Sequence, residues 1–186
     1  MERLVRWFVA GQVLFLAMMA VCWVIEPSRT ALQRGLSFYG NDPRTVAPYT
    51  AGFVLAIGLT AMGLRRHRSG RRRLRWAVAA LAALMIPIPL TPYRVDIVVD
   101  WLHIGSTTVL FLAGLLVGGW LAIWHLRRHT ARALFGFQAL AGFAVLAAQV
   151  GLHRYMIPSQ IVFQLLVVAL VVLAMRRTAP AAPAPA

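Results

Sequence analysis

Residues 92–124 read PYRVDIVVDWLHIGSTTVLFLAGLLVGGWLAIW. Two aspartates and a histidine stand near its head, and the rest is apolar for longer than the roughly 20 residues that cross a hydrocarbon core. In lipid every backbone N–H and C=O must be satisfied internally, and a helix does this within one segment. A transmembrane helix is therefore expected over 97–125. Five more apolar runs of spanning length lie at 5–25, 46–64, 75–91, 132–153 and 158–175. Of the 186 residues, 60% are hydrophobic and 13% are charged, whereas a soluble domain carries about 25% charged residues. The expected architecture is an all-α integral membrane bundle of six helices over 1–177. The closing TAPAAPAPA, 178–186, is too rich in proline and alanine to fold.

The first run follows Arg3 and Arg6 and ends near MAVC, which invites a reading as a secretory or lipoprotein leader. Val21 is not the small residue that processing needs before Cys22, and five spans follow, so the run is read as the first membrane helix. Cys22 is the only cysteine, which excludes an intrachain disulfide and any multi-cysteine metal site. A small filler among membrane helices suits it.

Every one of the 19 basic residues is an arginine. With the spans so drawn, one side holds Arg3, Arg6, Arg65, Arg66, Arg68, Arg71, Arg72, Arg73, Arg75, Arg127, Arg128, Arg132, Arg176 and Arg177. The other holds Arg29, Arg34, Arg44, Arg94 and Arg154. The positive-inside rule then places both termini in the cytoplasm of a plasma-membrane protein. The net charge of +14 marks topology and not nucleic-acid binding, because RRHRSGRRRLR is a short loop with no room for a reading element. Its expected contact is anionic lipid, at roughly 1 kcal/mol per basic residue near the surface.

Polar side chains crowd the opposite side. Glu26, Asp42, Asp96 and Asp100 lie there, as do Gln149 with His153 and Gln160 with Gln164, pairs four apart that share a helix face. At 100° per residue, positions 96, 100, 103, 107, 114 and 118 fall in a stripe about 60° wide. Its outer half reads Asp, Asp, His, Thr, and its inner half is a GxxxG element that admits a close neighbour. One face thus packs tightly at one end and opens on polar groups at the other, as in a bundle with an outward-facing pocket. The segment is longer than a bilayer needs, so Asp96 and Asp100 reach the headgroup layer. Two readings stand: a solvated helix N-terminus suited to the macrodipole, or a functional site shared with His103.

The longest connection is EPSRTALQRGLSFYGNDPRTVAPY, 26–49. In NDP, Asp42 suits a helix cap and Pro43 a first helical position. Upstream, SRTALQRGLSFYG suits a short helix lying in the interface. Long loops in compact proteins often carry function, and this one is expected to cap the pocket, with Arg29, Arg34 and Arg44 suited to a lipid phosphate. PIPLTPY, 87–93, ends the third span. Trp23, Trp101, Tyr49, Tyr93 and Tyr155 fit an interfacial aromatic belt.

GLSFYG at 35–40, PYTAGFVLAIGLTAMGLRR at 48–66 and DWLHIGS at 100–106 resemble the bacterial six-span family catalogued as domain of unknown function 998. The resemblance runs over nearly the whole chain. It implies the six-span fold and no particular activity.

Several functions remain open on the residues alone. The first is a membrane enzyme or binder for a lipid or isoprenoid-like hydrophobic substrate. Its candidate catalytic residues are Asp96, Asp100 and His103, with Glu26, Arg29, Asp42, Tyr49, Gln149, His153, Gln160 and Gln164 as candidate binding residues. Asp100, His103 and His153 offer three ligands for a divalent metal such as zinc. Without metal, a carboxylate and a histidine serve proton transfer, or acids and aromatics serve a cyclase through cation–π contact. The second function is an accessory subunit for partner membrane proteins. The third is a small transporter, for which an internal repeat and a mid-membrane charge would be expected; neither stands out.

Overall fold

A computed structural model describes residues 2–66, 72–92, 96–150 and 156–177, with backbone only for 2, 149 and 150. The predicted Pro/Ala tail lies outside the described residues. Among those described the chain is helical, with no strand. Its helices are α1 (Glu2–Ile25), α2 (Arg29–Arg34), a 3-10 turn (Leu36–Gly40), α3 (Val46–Arg66), α4 (Arg72–Leu84), α5 (Pro87–Leu90), α6 (Ile97–Trp120), α7 (His129–Val150) and α8 (Met156–Arg177). Six helical segments are long and apolar enough to cross a membrane: Arg3–Ile25, Val46–Arg66, Arg72–Leu90, Ile97–Leu126, His129–Ala148 and Met156–Arg177. They match the six runs expected from sequence.

The surface agrees with a lipid solvent. Leu116 is 74% exposed, Phe143 71% and Leu140 65%, and side chains of this kind are costly in water and at home among acyl chains. Inside, α1 packs along α3, and α7 along α8. Gly11 permits the first pairing, because a Cβ there would come within 3.1 Å of the Ala56 carbonyl oxygen. Helix α6 packs against α7 and α8 and touches α4 and α5, while α1 meets α8 directly.

The GxxxG element of α6 does what its spacing predicts, with side chains as the visitors. Gly114 and Gly118 are buried. Phe163 of α8 fills the space over Gly114, and Gln138 of α7 lies over Gly118. Gln138 is fully buried and its Nε2 donates to the Gly114 carbonyl at 2.9 Å.

Helix α6 continues as a π segment, Leu121–Leu126, which ends at Arg127 in the left-handed region (φ 52°). The Arg177 guanidinium donates to the His125 carbonyl at 3.0 Å and to that of Leu126, so a side chain of α8 caps the carbonyls left by this ending. Arg66 stacks over Trp7 at 5.3 Å, and Arg75 donates to the Leu64 carbonyl at 3.2 Å. The arginine-rich helix ends therefore lie together.

The opposite end is closed by the 26–45 connection. Ser28 caps α2 by accepting from the Thr30 N–H at 3.0 Å. The short interfacial helix expected here is α2 and the 3-10 turn. Asp42 caps a turn ahead of α3, accepting from the Arg44 N–H at 2.9 Å, and the helix itself begins three residues later than NDP alone suggests. Cys22 is fully buried and its thiol donates to the Thr45 carbonyl at 3.6 Å, in keeping with the filler reading.

Candidate functional site: a cavity under the 35–40 turn

The stripe on α6 sinks inward as it descends. Asp96 is the N-cap, exposed, its carboxylate accepting from the Val98 N–H at 2.8 Å. Asp100, in the first turn, is half-buried. His103 is buried, with only 5% of its surface exposed. Thr107 is half-buried and its hydroxyl donates back to the His103 and Ile104 carbonyls at 2.9 and 3.0 Å. Of the three residues proposed as one site, Asp96 is engaged in capping, and His103 is the one turned into the bundle.

Both ring nitrogens of His103 are engaged. Nδ1 lies 2.6 Å from the Thr91 carbonyl and 3.3 Å from the Thr91 hydroxyl. A carbonyl only accepts, so Nδ1 carries a proton. Nε2 lies 2.7 Å from Ser37 Oγ in the 3-10 turn. In the neutral ring Nε2 accepts, and Ser37 donates to it. A directed chain therefore runs from Ser37 through His103 to Thr91. Tyr49 and Ser37 line the same cavity.

Gln160 holds the same turn from α8. Its Oε1 accepts from the Leu36 N–H at 2.9 Å. Gly35, at φ +83°, has the backbone that glycine tolerates best, and a Cβ there would also lie 2.9 Å from Gln160 Oε1. The GLSFYG turn is thus fastened to α6 by Ser37 and to α8 through Leu36. One turn deeper, Gln164 donates to Gln12 of α1 at 2.6 Å.

Beneath the turn is a cavity of about 80 Å³. Phe15, Phe53, Phe111, Phe163, Leu36, Met85, Ile88 and Leu110 give it apolar walls, and Ser37, Tyr49, Thr107, Gln160 and Gln164 supply polar points. A second void of about 40 Å³ reaches Gln12, Thr60 and Gly114 and shares Met85, Leu110, Phe163 and Gln164 with the first. A single water needs about 10–15 Å³ by such a measure, so the first void has room for several waters or a short length of hydrocarbon. Walls of this kind take an apolar chain, and the few polar groups orient whatever polar end accompanies it.

Of the expected binding residues, Tyr49, Gln160 and Gln164 line this cavity. Tyr49 is 2% exposed, so it lies inside the bundle and not in an aromatic belt; Trp101 is 69% exposed, as a belt residue should be. Glu26 and Asp42 are elsewhere. Arg44 bridges them, 2.5 Å from the Glu26 carboxylate and 3.1 Å from that of Asp42. This exposed cluster ties the end of α1 to the turn before α3, and the Arg44 guanidinium holds the Asp42 carboxyl below its ordinary pKa. Arg29 is exposed on α2. The Gln149 side chain, His153, Tyr93 and Tyr155 lie outside the described residues.

Among the described residues no three His, Cys, Asp or Glu side chains come together to hold a metal. The Asp100, His103 and His153 set includes a residue beyond them, and His103 would have to release Ser37 to present Nε2 to a cation. Sequence reasoning missed Ser37 and the α1 and α3 walls. The signal available was the GLSFYG turn itself, a polar residue and a glycine at φ > 0 inside the longest loop. Nearby Tyr39 is 1% exposed with no partner for its hydroxyl among the described residues, and burial first, then Cys22 and Glu26, pushes that hydroxyl up to about 12.

These features define a six-span helical membrane protein with a mostly apolar, polar-tipped cavity at one end. No protein-family model, curated protein or solved structure matches the chain.

Proposed function

We propose that this protein binds a hydrophobic molecule drawn from the membrane, lipid or isoprenoid-like, in the cavity under the 35–40 turn. The observation that carries this is the lining: aromatic and aliphatic walls converging on Ser37, Tyr49, Thr107, Gln160 and Gln164. A hydrocarbon segment gains about 25 cal/mol per Å² of surface it buries, and the polar groups select a ligand with a hydroxyl or carbonyl at its end. The arginine-rich end faces the cytoplasm in this reading, and the cavity faces the outer leaflet of the plasma membrane. The likeness to the domain of unknown function 998 family, through GLSFYG, 48–66 and DWLHIGS, is kept as part of the proposal. Leu110→Trp fills the space shared by both voids. Organic extracts of the purified protein should contain an apolar molecule in stoichiometric amount that this variant lacks while keeping its melting temperature. Identical extracts from the two proteins would refute the reading.

The 2.7 Å contact between Ser37 Oγ and His103 Nε2 favours a second reading, acyl transfer on the bound ligand. A nucleophile hydrogen-bonded to a base that a third group orients is the arrangement such chemistry needs. Ser37 Oγ adds to an ester carbonyl carbon while Nε2 takes its proton. The C–O bond to the leaving alcohol then breaks, and Nε2 returns the proton to that oxygen. The acyl group rests on Ser37 until water, deprotonated by His103, removes it. Tyr49 offers a donor at the same place for the developing oxyanion. A fluorophosphonate probe should label the protein at Ser37 and leave Ser37→Ala and His103→Gln unlabelled; no labelling of the unaltered protein would leave Ser37 as a fastening for the turn.

A further inference from the structure

A larger cavity, about 350 Å³, opens at the opposite end of the bundle, where the π segment ends, α7 begins and α8 finishes. Arg128, Arg176 and Arg177 line it together with Thr130, over a floor that includes Leu126 and Leu173. Among the described residues no acidic side chain contributes to the lining. Topology alone asks for positive charge on this side of the membrane; it does not ask for three guanidinium-bearing residues from two segments around one cavity. Arg177 is held in place, since its Nη1 donates to the His125 and Leu126 carbonyls. A guanidinium has five N–H donors in a fixed fork that matches phosphate oxygens.

We propose that this cavity binds a phosphate group, the headgroup of an anionic phospholipid or free phosphate, through Arg128, Arg176 and Arg177. Its position at the membrane boundary and its apolar floor suit a phosphate with acyl chains attached. A phosphodiester there would bridge the 126–129 connection to the end of α8, and so lock α6, α7 and α8 together. A ligand that binds only the folded state raises the melting temperature as it saturates, which makes the site measurable without knowing what occupies the other cavity.

The test uses the full chain in detergent micelles, titrated with dioctanoyl phosphatidylglycerol, dioctanoyl phosphatidylcholine or inorganic phosphate while the melting temperature is followed. Phosphatidylglycerol should raise it saturably and phosphatidylcholine should not. Arg128→Gln with Arg176→Gln should weaken that binding by about tenfold or more, as loss of charge-assisted hydrogen bonds requires. Arg3→Gln with Arg65→Gln, an equal charge change at the same end, should leave it within about twofold. Arg177 is kept in both because it caps the π segment. Leu173→Trp keeps every charge and crowds the cavity floor, so its weakened binding keeps the test valid should the arginine pair fold poorly. A matching saturable response to inorganic phosphate identifies a phosphate site, and a response to the lipid alone identifies a headgroup site. Equal weakening by the two arginine pairs, or no preference for phosphatidylglycerol over phosphatidylcholine, would overturn the proposal.

Discussion

Arg44 is the residue on which the outer connection turns, because it bridges Glu26 and Asp42 while Asp42 also caps the turn before α3. The ordinary carboxyl pKa of 3.8 is lowered at Asp42 by that guanidinium and by the Arg44 N–H. A carboxyl whose pKa is lower in the folded than in the unfolded state contributes stability above the unfolded value and loses it as pH falls through the folded one. Amide hydrogen exchange across 26–46 should therefore be insensitive to this group between pH 7 and 5, once corrected for intrinsic rates, and should quicken below about pH 4. Asp42→Asn should remove that acid step, and an acid step of the same size in the variant would show that another group is responsible. NDP was legible as a cap from three letters. Ser37 was not legible as the partner of His103, because the two are 66 residues apart and periodicity carries no information about which distant turn lies over a helix face.

At the scale of an element, α6 shows both what a stripe reveals and where it stops. Spacing at 96, 100, 103, 107, 114 and 118 gave a polar outer half and a close-packed inner half, and the buried residues His103, Gly114 and Gly118 follow it. Segment length put Asp96 and Asp100 in the headgroup layer; what the spacing could not give was the contacts, and the structure has Asp96 capping the helix and His103 buried. Nor did it give the visitor: Gln138 sits on α7, and nothing in its own neighbourhood marks it as the group that reaches Gly114. The arrangement has a direct consequence. A Cβ at position 118 would stand 2.1 Å from Gln138 Oε1, so Gly118→Ala forces a fully buried amide to move and to strain or give up its bond to the Gly114 carbonyl. Overpacking and a weakened buried hydrogen bond together cost about 1–4 kcal/mol. Gly105→Ala is the control, since nothing lies within 4 Å of a Cβ there, and it should be neutral or slightly stabilising through helix propensity. Equilibrium unfolding in mixed micelles measures both, and equal stability of the two variants would mean that Gln138 does not hold α6 to α7.

For the whole molecule, the six spans were legible because lipid imposes a length and a composition on each one separately, with no long-range information required. Their pairing was less so, since α1 on α3 and α7 on α8 rest on close approaches such as Gly11 to Ala56 that many small residues in the chain could equally have made. The proposed sidedness rests on a third kind of information, the division of arginines expected from the sequence, which acts on insertion and not through the folded contacts. It is testable because the molecule's only thiol is out of reach: Cys22 is fully buried and hydrogen-bonded to Thr45, so it should resist labelling in the folded protein and need not be replaced. Gln33, exposed on α2, and His129, exposed at the start of α7, report the two ends without removing an arginine. A membrane-impermeant maleimide should label Gln33→Cys in intact cells at once. The same reagent should reach His129→Cys only after the membrane is permeabilised. The reverse pattern would turn the bundle over and place the cavity under the 35–40 turn on the cytoplasmic side, and its ligand would then have to come from the inner leaflet.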